Sequence, residues 1–395
     1  MFRREYGRAV AVLARALGDI SLAEEALQDA FVIALQRWPA SGIPPAAAGW
    51  LITTARNRAI DKLRREATRD ARHLAAMELL EPDESEEHAV TDDQLRMIFT
   101  CCHPALAPEA RVALTLRLVA GLTTDEIARA FLVPEATLGQ RISRAKRKIR
   151  EAGIPYRIPG TDELPERLRA VLAVIYLVFN EGYAATSGTE LVRADLCDEA
   201  LRLGRLLAQL LPDESEALGL LALMLLIDAR RDARTDACGA LVQLGAQDRG
   251  RWNRERIDEG ESLLRECLRR DRPGPYQLQA AINAVHSDAI DAAQTDWAQI
   301  RTLHDQLYAL QPTAVIALNR AVVVAEVEGP AAALLLVDEL TLPDYHPFHA
   351  VRADLLRRLD RPADAAEAYL RAIALCTNDR EREFLTSRYR ALSSN

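Results

Sequence analysis

Apolar residues in this chain recur mostly at helical spacing, and the clearest case runs from Glu135 to Arg150. Leu138, Ile142, Ala145 and Ile149 fall at i, i+4, i+7 and i+11, which predicts one buried stripe. Thr137, Gln140, Arg141, Arg144 and Lys148 take the adjoining exposed side. A shorter helix precedes it: Thr123 or Thr124 can cap it, Asp125 and Glu126 suit its positive first turn, and Ile127, Ala130 and Phe131 give it an apolar side. Leu132-Val133-Pro134 breaks that helix, because Pro134 lacks an N–H and pushes Val133 out of the α region. Two helices joined this way, the second apolar behind and basic in front, have the sequence form of a DNA-binding helix-turn-helix. The competing reading is an ordinary helical hairpin with a solvated basic face. Arg141, Arg144, Lys146, Arg147, Lys148 and Arg150 against Glu135 alone favour DNA. Thr137 and Gln140 do so too, since they stand at the front of the helix where base edges are reached.

The same periodicity predicts a helix over 22–38, with Leu27, Ala30, Phe31, Ala34, Leu35 and Trp38 on its apolar side and Glu24, Glu25, Gln28 and Asp29 on its outer surface. A proline-rich stretch from Pro39 to Pro45 ends it. In Trp50–Arg65, Ile52, Ala55, Ala59 and Leu63 share one side; Asn57, Arg58, Asp61, Arg64 and Arg65 share the other, a second basic surface. Arg56 lies nearer the apolar side and reads as structural, and Trp50 reads as core packing. Residues 66–95 lose periodicity and include the like-charged run Glu81–His88, which reads as a flexible acidic linker. From Leu164 onward the chain is helix after helix with no strand signal. Residues 319–333 align with 351–365 at an offset of 32: Arg320 with Arg352, Ala321 with Ala353, Pro330 with Pro362, Ala331 with Ala363 and Ala333 with Ala365. That spacing is near the ~34-residue period of tetratricopeptide repeats. Ala217–Leu244 reads as a further, degenerate helix pair.

Composition changes this picture in one respect. The 395-residue chain carries a net charge of −8, which by itself argues against a nucleic-acid partner. The charge is unevenly placed: +3 over 1–80, −7 over 81–110, +6 over 111–160 and −10 over 161–395. Phosphate attraction acts within about a Debye length (~10 Å), so the local basic modules matter more than the total. No apolar run approaches the ~20 residues of a membrane span, and the start shows no secretory signal. The six cysteines, Cys101, Cys102, Cys197, Cys238, Cys267 and Cys376, form no framework, which fits a reducing cytoplasm. Cys101, Cys102 and His103 are adjacent and lack metal-site spacing, so they read as buried thiols rather than metal ligands. Glu181 and His286 are polar groups in apolar helices, but no nucleophile–base pair emerges, and no catalytic residue or cofactor is expected.

The stretches AEEALQDAF and GWLITTARNRAIDKLRRE resemble region 2 of extracytoplasmic-function sigma factors, and the helix-turn-helix ending RISRAKRKIR resembles region 4. Phe99–Pro104 and the helical C-terminal part are similar to one sigma subgroup that carries a tetratricopeptide-like extension. The resemblance implies that Leu27, Gln28, Asp29 and Phe31 dock on the clamp of core RNA polymerase. It places Asn57 at an extruded −10 base, with Arg58, Arg64 and Arg65 on nearby phosphates, roles that suit a two-sided hydrogen bonder and a phosphate fork. Thr137, Gln140, Arg141, Arg144 and Lys148 fall to the −35 element. It also implies that the acidic linker threads the RNA exit path, with a plain solubilising linker as the equal alternative. Two positions depart from the commoner pattern. Pro134 replaces a capping serine, and Gly139, which costs a helix about 1 kcal/mol relative to Ala, leaves room for close approach to DNA.

The expected architecture is all-α: a region 2 domain over 1–66, an acidic linker over 67–95, a region 4 domain over 96–157 and an α-solenoid-like regulatory domain over 165–395. The expected function is that of a cytoplasmic, non-enzymatic sigma factor. Its partners are core RNA polymerase and promoter DNA, with no membrane. Its C-terminal domain contacts the sigma domains in cis or a protein partner, with a small-molecule pocket as the second choice. A stand-alone helix-turn-helix regulator with a helical sensor domain is the alternative.

Overall fold

The computed structural model describes residues 2–66, 86–131 and 133–392, and these form two compact units, 1–177 and 178–395. Among the described residues there are helices, 3-10 turns and isolated bridges but no strands.

The N-terminal unit opens with α1 (Phe2–Leu17), α2 (Ile20–Ser41) and α3 (Ala47–Glu66). Asp19 caps α2, accepting hydrogen bonds from the Ser21 and Leu22 amides. This helix runs through Pro39 and stops where Gly42 takes a positive φ of 78° and its N–H returns to Trp38 O, so the glycine rather than the first proline ends it. Next come α4 (Glu86–Cys101), α5 (Pro108–Leu114), a π-helical segment (Thr115–Val119), α6 (Thr124–Ala130) and α7 (Glu135–Glu151). The expected linker is thus shorter than its sequence suggested. Glu86–Cys101 is helical, and Asp93 within it is fully buried, 3.0 Å from Arg15 and also paired with Arg96. The rest of the linker, 67–85, lies outside the described residues. Helix α8 (Leu164–Tyr183) starts in this unit, where Arg167 donates to Phe99 O at 2.6 Å.

The C-terminal unit continues with α9 (Ala194–Leu210), α10 (Ser215–Asp228), α11 (Arg254–Arg269), α12 (Pro275–Asp288) and α13 (Trp297–Leu310). Helix α10 is apolar all round and buried all round, packed by α9, α11 and α12. The helix expected to follow it before Leu244 is not there. Residues 231–251 form short 3-10 turns in which Arg249 stacks on Trp252, and α10 instead pairs with α11.

The 32-residue repeat is present as α14 (Ala314–Val327) with α15 (Pro330–Asp338), then α16 (His346–Arg358) with α17 (Pro362–Leu375). Pro330 and Pro362 each sit in the first helical turn, where a missing N–H costs nothing. Ala321, Ala333, Ala353 and Ala365 are completely buried, which lets the paired helices approach closely. The matching arginines also do matching jobs: Arg320 pairs with Asp305, and Arg352 pairs with Asp338 at 2.8 Å. Finally, Asn378 caps α18 (Asp379–Ala391) and donates to Ala185 O and Glu190 O at 3.0 and 2.9 Å, tying the end of the unit to its beginning.

Candidate nucleic-acid interface

The helix-turn-helix is built as its sequence predicts. Thr123 accepts from the Glu126 amide at 3.1 Å while Glu126 accepts from the Thr123 amide at 2.8 Å, a reciprocal capping box. Leu138, Ile142, Ala145 and Ile149 are all buried beneath α7. On the opposite side Thr137, Gln140, Arg144 and Lys148 are exposed and Arg141 is half-buried. Three of these groups are already engaged: Arg144 donates to Gln140 Oε1 at 3.3 Å, and Lys148 donates to Ala105 O.

The second basic surface lies on α3. Ala47, Leu51, Ala55 and Ala59 are its buried positions, with Ile52 and Leu63 only half-buried, so the apolar stripe is rotated slightly from the sequence reading. Asn57 and Arg58 are exposed. The side chains of Arg64 and Arg65 lie outside the described residues. Trp50 is half-buried against Trp38, with ring centroids 5.4 Å apart.

Helix α2 departs most from expectation. Gln28 and Asp29 are exposed, but Leu27 is completely buried and Phe31 is half-buried, stacked on Tyr6 at 6.0 Å between centroids. Glu24, read from the sequence as part of the outer surface, is 5% exposed. Its carboxylate accepts from Arg117 Nε at 2.6 Å and from Tyr6 Oη at 2.9 Å, and it pairs with Lys146 of α7. Burial alone would raise the Glu24 carboxyl, but the Lys146 and Arg117 charges outweigh it and hold the group below its ordinary range. Its partners are 93 and 122 residues away in sequence, so no local pattern announces the burial. Gly139 also sits differently from expectation. It lines a cleft of about 320 Å³ with Ser21, Glu24, Gln28 and Lys146, and so faces α2 rather than the DNA side of α7.

Cys101 and Cys102 are buried thiols; burial raises both, Cys102 to about 11. His103 is engaged locally, its Nδ1 accepting from the Ala105 amide at 3.1 Å. Among the described residues, the donor atoms of His346, Cys376 and Glu381 come within 4.8 Å of one another. Internal partners account for this cluster: His346 Nε2 lies 3.2 Å from Glu381, and Cys376 donates to Asn378 O at 3.4 Å. Glu181 is similarly used in structure, paired with Arg193 at 3.0 Å. His286 packs edge-on to Trp297 and is pushed down to about 4 by burial and by Arg230 and Arg249. No helix among the described residues is long and apolar enough to cross a membrane.

Comparison with known proteins matches residues 1–69 to sigma-70 region 2, residues 96–149 to sigma-70 region 4, and residues 167–268 to a family of unknown function. An uncharacterized protein of Rhizobium meliloti is 47% identical over 389 residues, covering 96% of this chain and 92% of that one. The ECF RNA polymerase sigma factor SigK of Mycolicibacterium vanbaalenii is 30% identical over 151 residues, 36% of this chain and 75% of that protein. SigK of Mycobacterium tuberculosis is 29% identical over 150 residues, 36% of this chain and 78% of its own length. The match to the SigK proteins thus leaves most of this chain uncovered, whereas the Rhizobium protein matches nearly all of it. With both sigma regions in order and a relative of this similarity, the chain belongs to the extracytoplasmic-function branch of the sigma-70 family and carries an additional helical C-terminal domain.

Proposed function

We propose that this sigma factor docks on core RNA polymerase through the exposed Gln28 and Asp29 and the neighbouring Phe31, with Leu27 supporting them from the core of α2. Asn57 and Arg58, continued by Arg64 and Arg65, take the opened −10 strand, and Thr137, Gln140, Arg141, Arg144 and Lys148 take the −35 duplex. Bond making stays with the polymerase. The observation that carries this reading is the presence of two basic surfaces in one chain, with Asn57 and Arg58 exposed on α3 and Thr137, Gln140, Arg144 and Lys148 exposed on α7. An operator-binding regulator has use for the second surface but not for the first.

The test is capture of core RNA polymerase by the purified chain, with Asp29→Arg as the control, followed by transcription from the gene's own upstream region. Binding weakened by Asp29→Arg, together with promoter-dependent transcript, is the expected result. Tight DNA binding with no polymerase capture would select the stand-alone regulator. The acidic C-terminal domain modulates this activity in the same proposal, through the sigma domains or a protein partner. A chain ending after Tyr183, which keeps the Arg167 contact of α8, should therefore transcribe or respond differently from the full chain. Unchanged output and unchanged regulation would remove the modulatory role.

A further inference from the structure

We infer that His346, Cys376 and Glu381 form a binding site for one zinc ion, which fastens the last helix of the C-terminal unit to its final repeat. The site lies wholly within that unit and owes nothing to the assignment of the sigma regions. Its three donors come from three elements. His346 heads α16, Cys376 is the C-cap of α17, and Glu381 stands in the first turn of α18. His346 precedes Cys376 by 30 positions, so no finger-like ligand spacing announces the group in the sequence.

The chemistry of the set selects the ion. An imidazole nitrogen, a thiolate sulfur and a carboxylate oxygen are the three ligand types that zinc takes, whereas magnesium and calcium call for oxygen. The geometry fits as well. His346 Nε2 and Glu381 Oε2 are 3.2 Å apart, Cys376 Sγ lies 4.0 Å from the same oxygen, and all three donors fall within 4.8 Å of one another. A tetrahedral ion about 2.0–2.3 Å from each ligand separates neighbouring donors by roughly 3.3–3.6 Å. The triangle therefore needs to contract by no more than about 1 Å on its longest edge. The hydrogen bonds that the donors make are replaceable. Cys376 Sγ donates to Asn378 O at 3.4 Å, and zinc takes the sulfur by displacing its proton.

Each ligand is also held from behind. The Cys376 amide donates to Ala372 O at 3.0 Å, and the Glu381 amide donates to Asn378 Oδ1 at 3.2 Å. Cys376 is buried, while His346 and Glu381 are half-buried and open to solvent on one side, so an ion can enter. Asp379 is taken by Arg382, which leaves the fourth position to water. The same short segment closes the unit. Thr377 Oγ1 donates to Thr186 O at 2.6 Å and the Asp379 amide to Gly188 O at 2.9 Å, beside the Asn378 contacts to Ala185 and Glu190. An ion joining Cys376 and Glu381 to His346 thus braces that segment against the repeat.

The test is metal titration of the full chain carrying Cys238→Ser, which removes the exposed native thiol. Equilibrium dialysis should give one Zn(II) per chain, undisturbed by millimolar Mg(II) or Ca(II). Co(II) in its place should show a thiolate-to-metal charge-transfer band and the intense visible absorption of a tetrahedral site. Cys376→Ser should abolish the charge-transfer band, and His346→Gln and Glu381→Gln should each weaken Zn(II) binding at least about tenfold. Zn(II) should also slow hydrogen exchange in α18 and over 185–190 in the parent chain, and not in His346→Gln. Circular dichroism identifies the variants that keep their helix content. If Cys376→Ser does not fold, His346→Gln decides, because its side chain is half-buried at the start of a helix. Failure to bind one Zn(II) per chain, a charge-transfer band that survives Cys376→Ser, or an affinity unchanged by His346→Gln overturns the site. Binding that leaves hydrogen exchange in α18 unchanged overturns the fastening.

Discussion

Glu24 and Asp228 are both buried carboxylates flanked by two bases, yet their environments push them in opposite directions. Glu24 has Arg117 and Lys146 and is held below its ordinary range despite burial. Asp228, 1% exposed, lies 2.6 Å from Arg231 and is also paired with Arg256, but burial wins and its carboxyl is raised. The difference lies in how the cations are shared. Arg231 also serves Asp198 at 2.7 Å, and that second acid raises Asp228 further. Two bases divided between two acids do not repay desolvation as two bases on one acid do. The first arrangement joins sequence-distant modules, whereas the second fastens the end of α10 to its surroundings.

The comparison breaks most sharply at Glu24. Glu24→Ala leaves Arg117 and Lys146 largely buried and unpaired, and urea denaturation of the N-terminal unit should show a loss of about 3–5 kcal/mol. A loss under ~1 kcal/mol means the carboxylate is solvated in solution. Asp228→Asn should cost less, about 1–3 kcal/mol, because burial already opposes the charge it removes. Thermal denaturation of the two variants side by side gives the ranking, and an equal or larger loss at Asp228 reverses the argument.

Acid titration sharpens the same contrast. The Glu24 contribution, set by Tyr6, Arg117 and Lys146 around it, should be full above the ordinary glutamate value of about 4.3 and fall as pH drops through its lowered folded value. The Asp228 contribution runs the other way, greatest below the ordinary aspartate value of about 3.9 and lost as pH rises through the raised folded value. Stability against pH for Glu24→Gln and Asp228→Asn should therefore run parallel to the parent chain at the acid end and diverge in opposite directions as pH rises, the parent gaining on Glu24→Gln and losing ground to Asp228→Asn. The smallest effect is expected at Gly139, where an added Cβ meets nothing within 4 Å. Gly139→Ala should raise stability by up to about 1 kcal/mol through helix propensity while leaving the Glu24 contacts intact. A loss there places the cleft wall closer than the static picture does.

What could be read in advance follows the range of the interactions involved. The stripe Leu138, Ile142, Ala145 and Ile149, the cap at Thr123 and the alanine–proline repeat all depend on neighbours within a helix or its partner, and each is present. Glu24 was misread because its helix is polar on two sides, one wet and one buried, and side-chain spacing cannot tell these apart. Asp93 was misread because it follows a run of acids whose composition suggests a linker, while its own partner, Arg15, comes from α1. Leu27 carries the converse lesson. Resemblance placed it among docking residues, and its complete burial leaves it supporting that surface. The span expected to pair after α10 failed for another reason: Arg234 within it lies over the Tyr183 ring and donates to Tyr183 O, and Arg231 is held by Asp228 and Asp198.

The matched arginines of the repeat have a consequence for how such a chain changes over time. Arg320 reaches back to Asp305 and Arg352 to Asp338, so each unit carries its own fastening to the one before it. Duplicating or deleting a whole 32-residue block would carry the fastening along with the helices it secures. The tie from Asn378 to Ala185 and Glu190 nevertheless sets the number of blocks, because adding or removing one would carry the end of the unit away from its beginning.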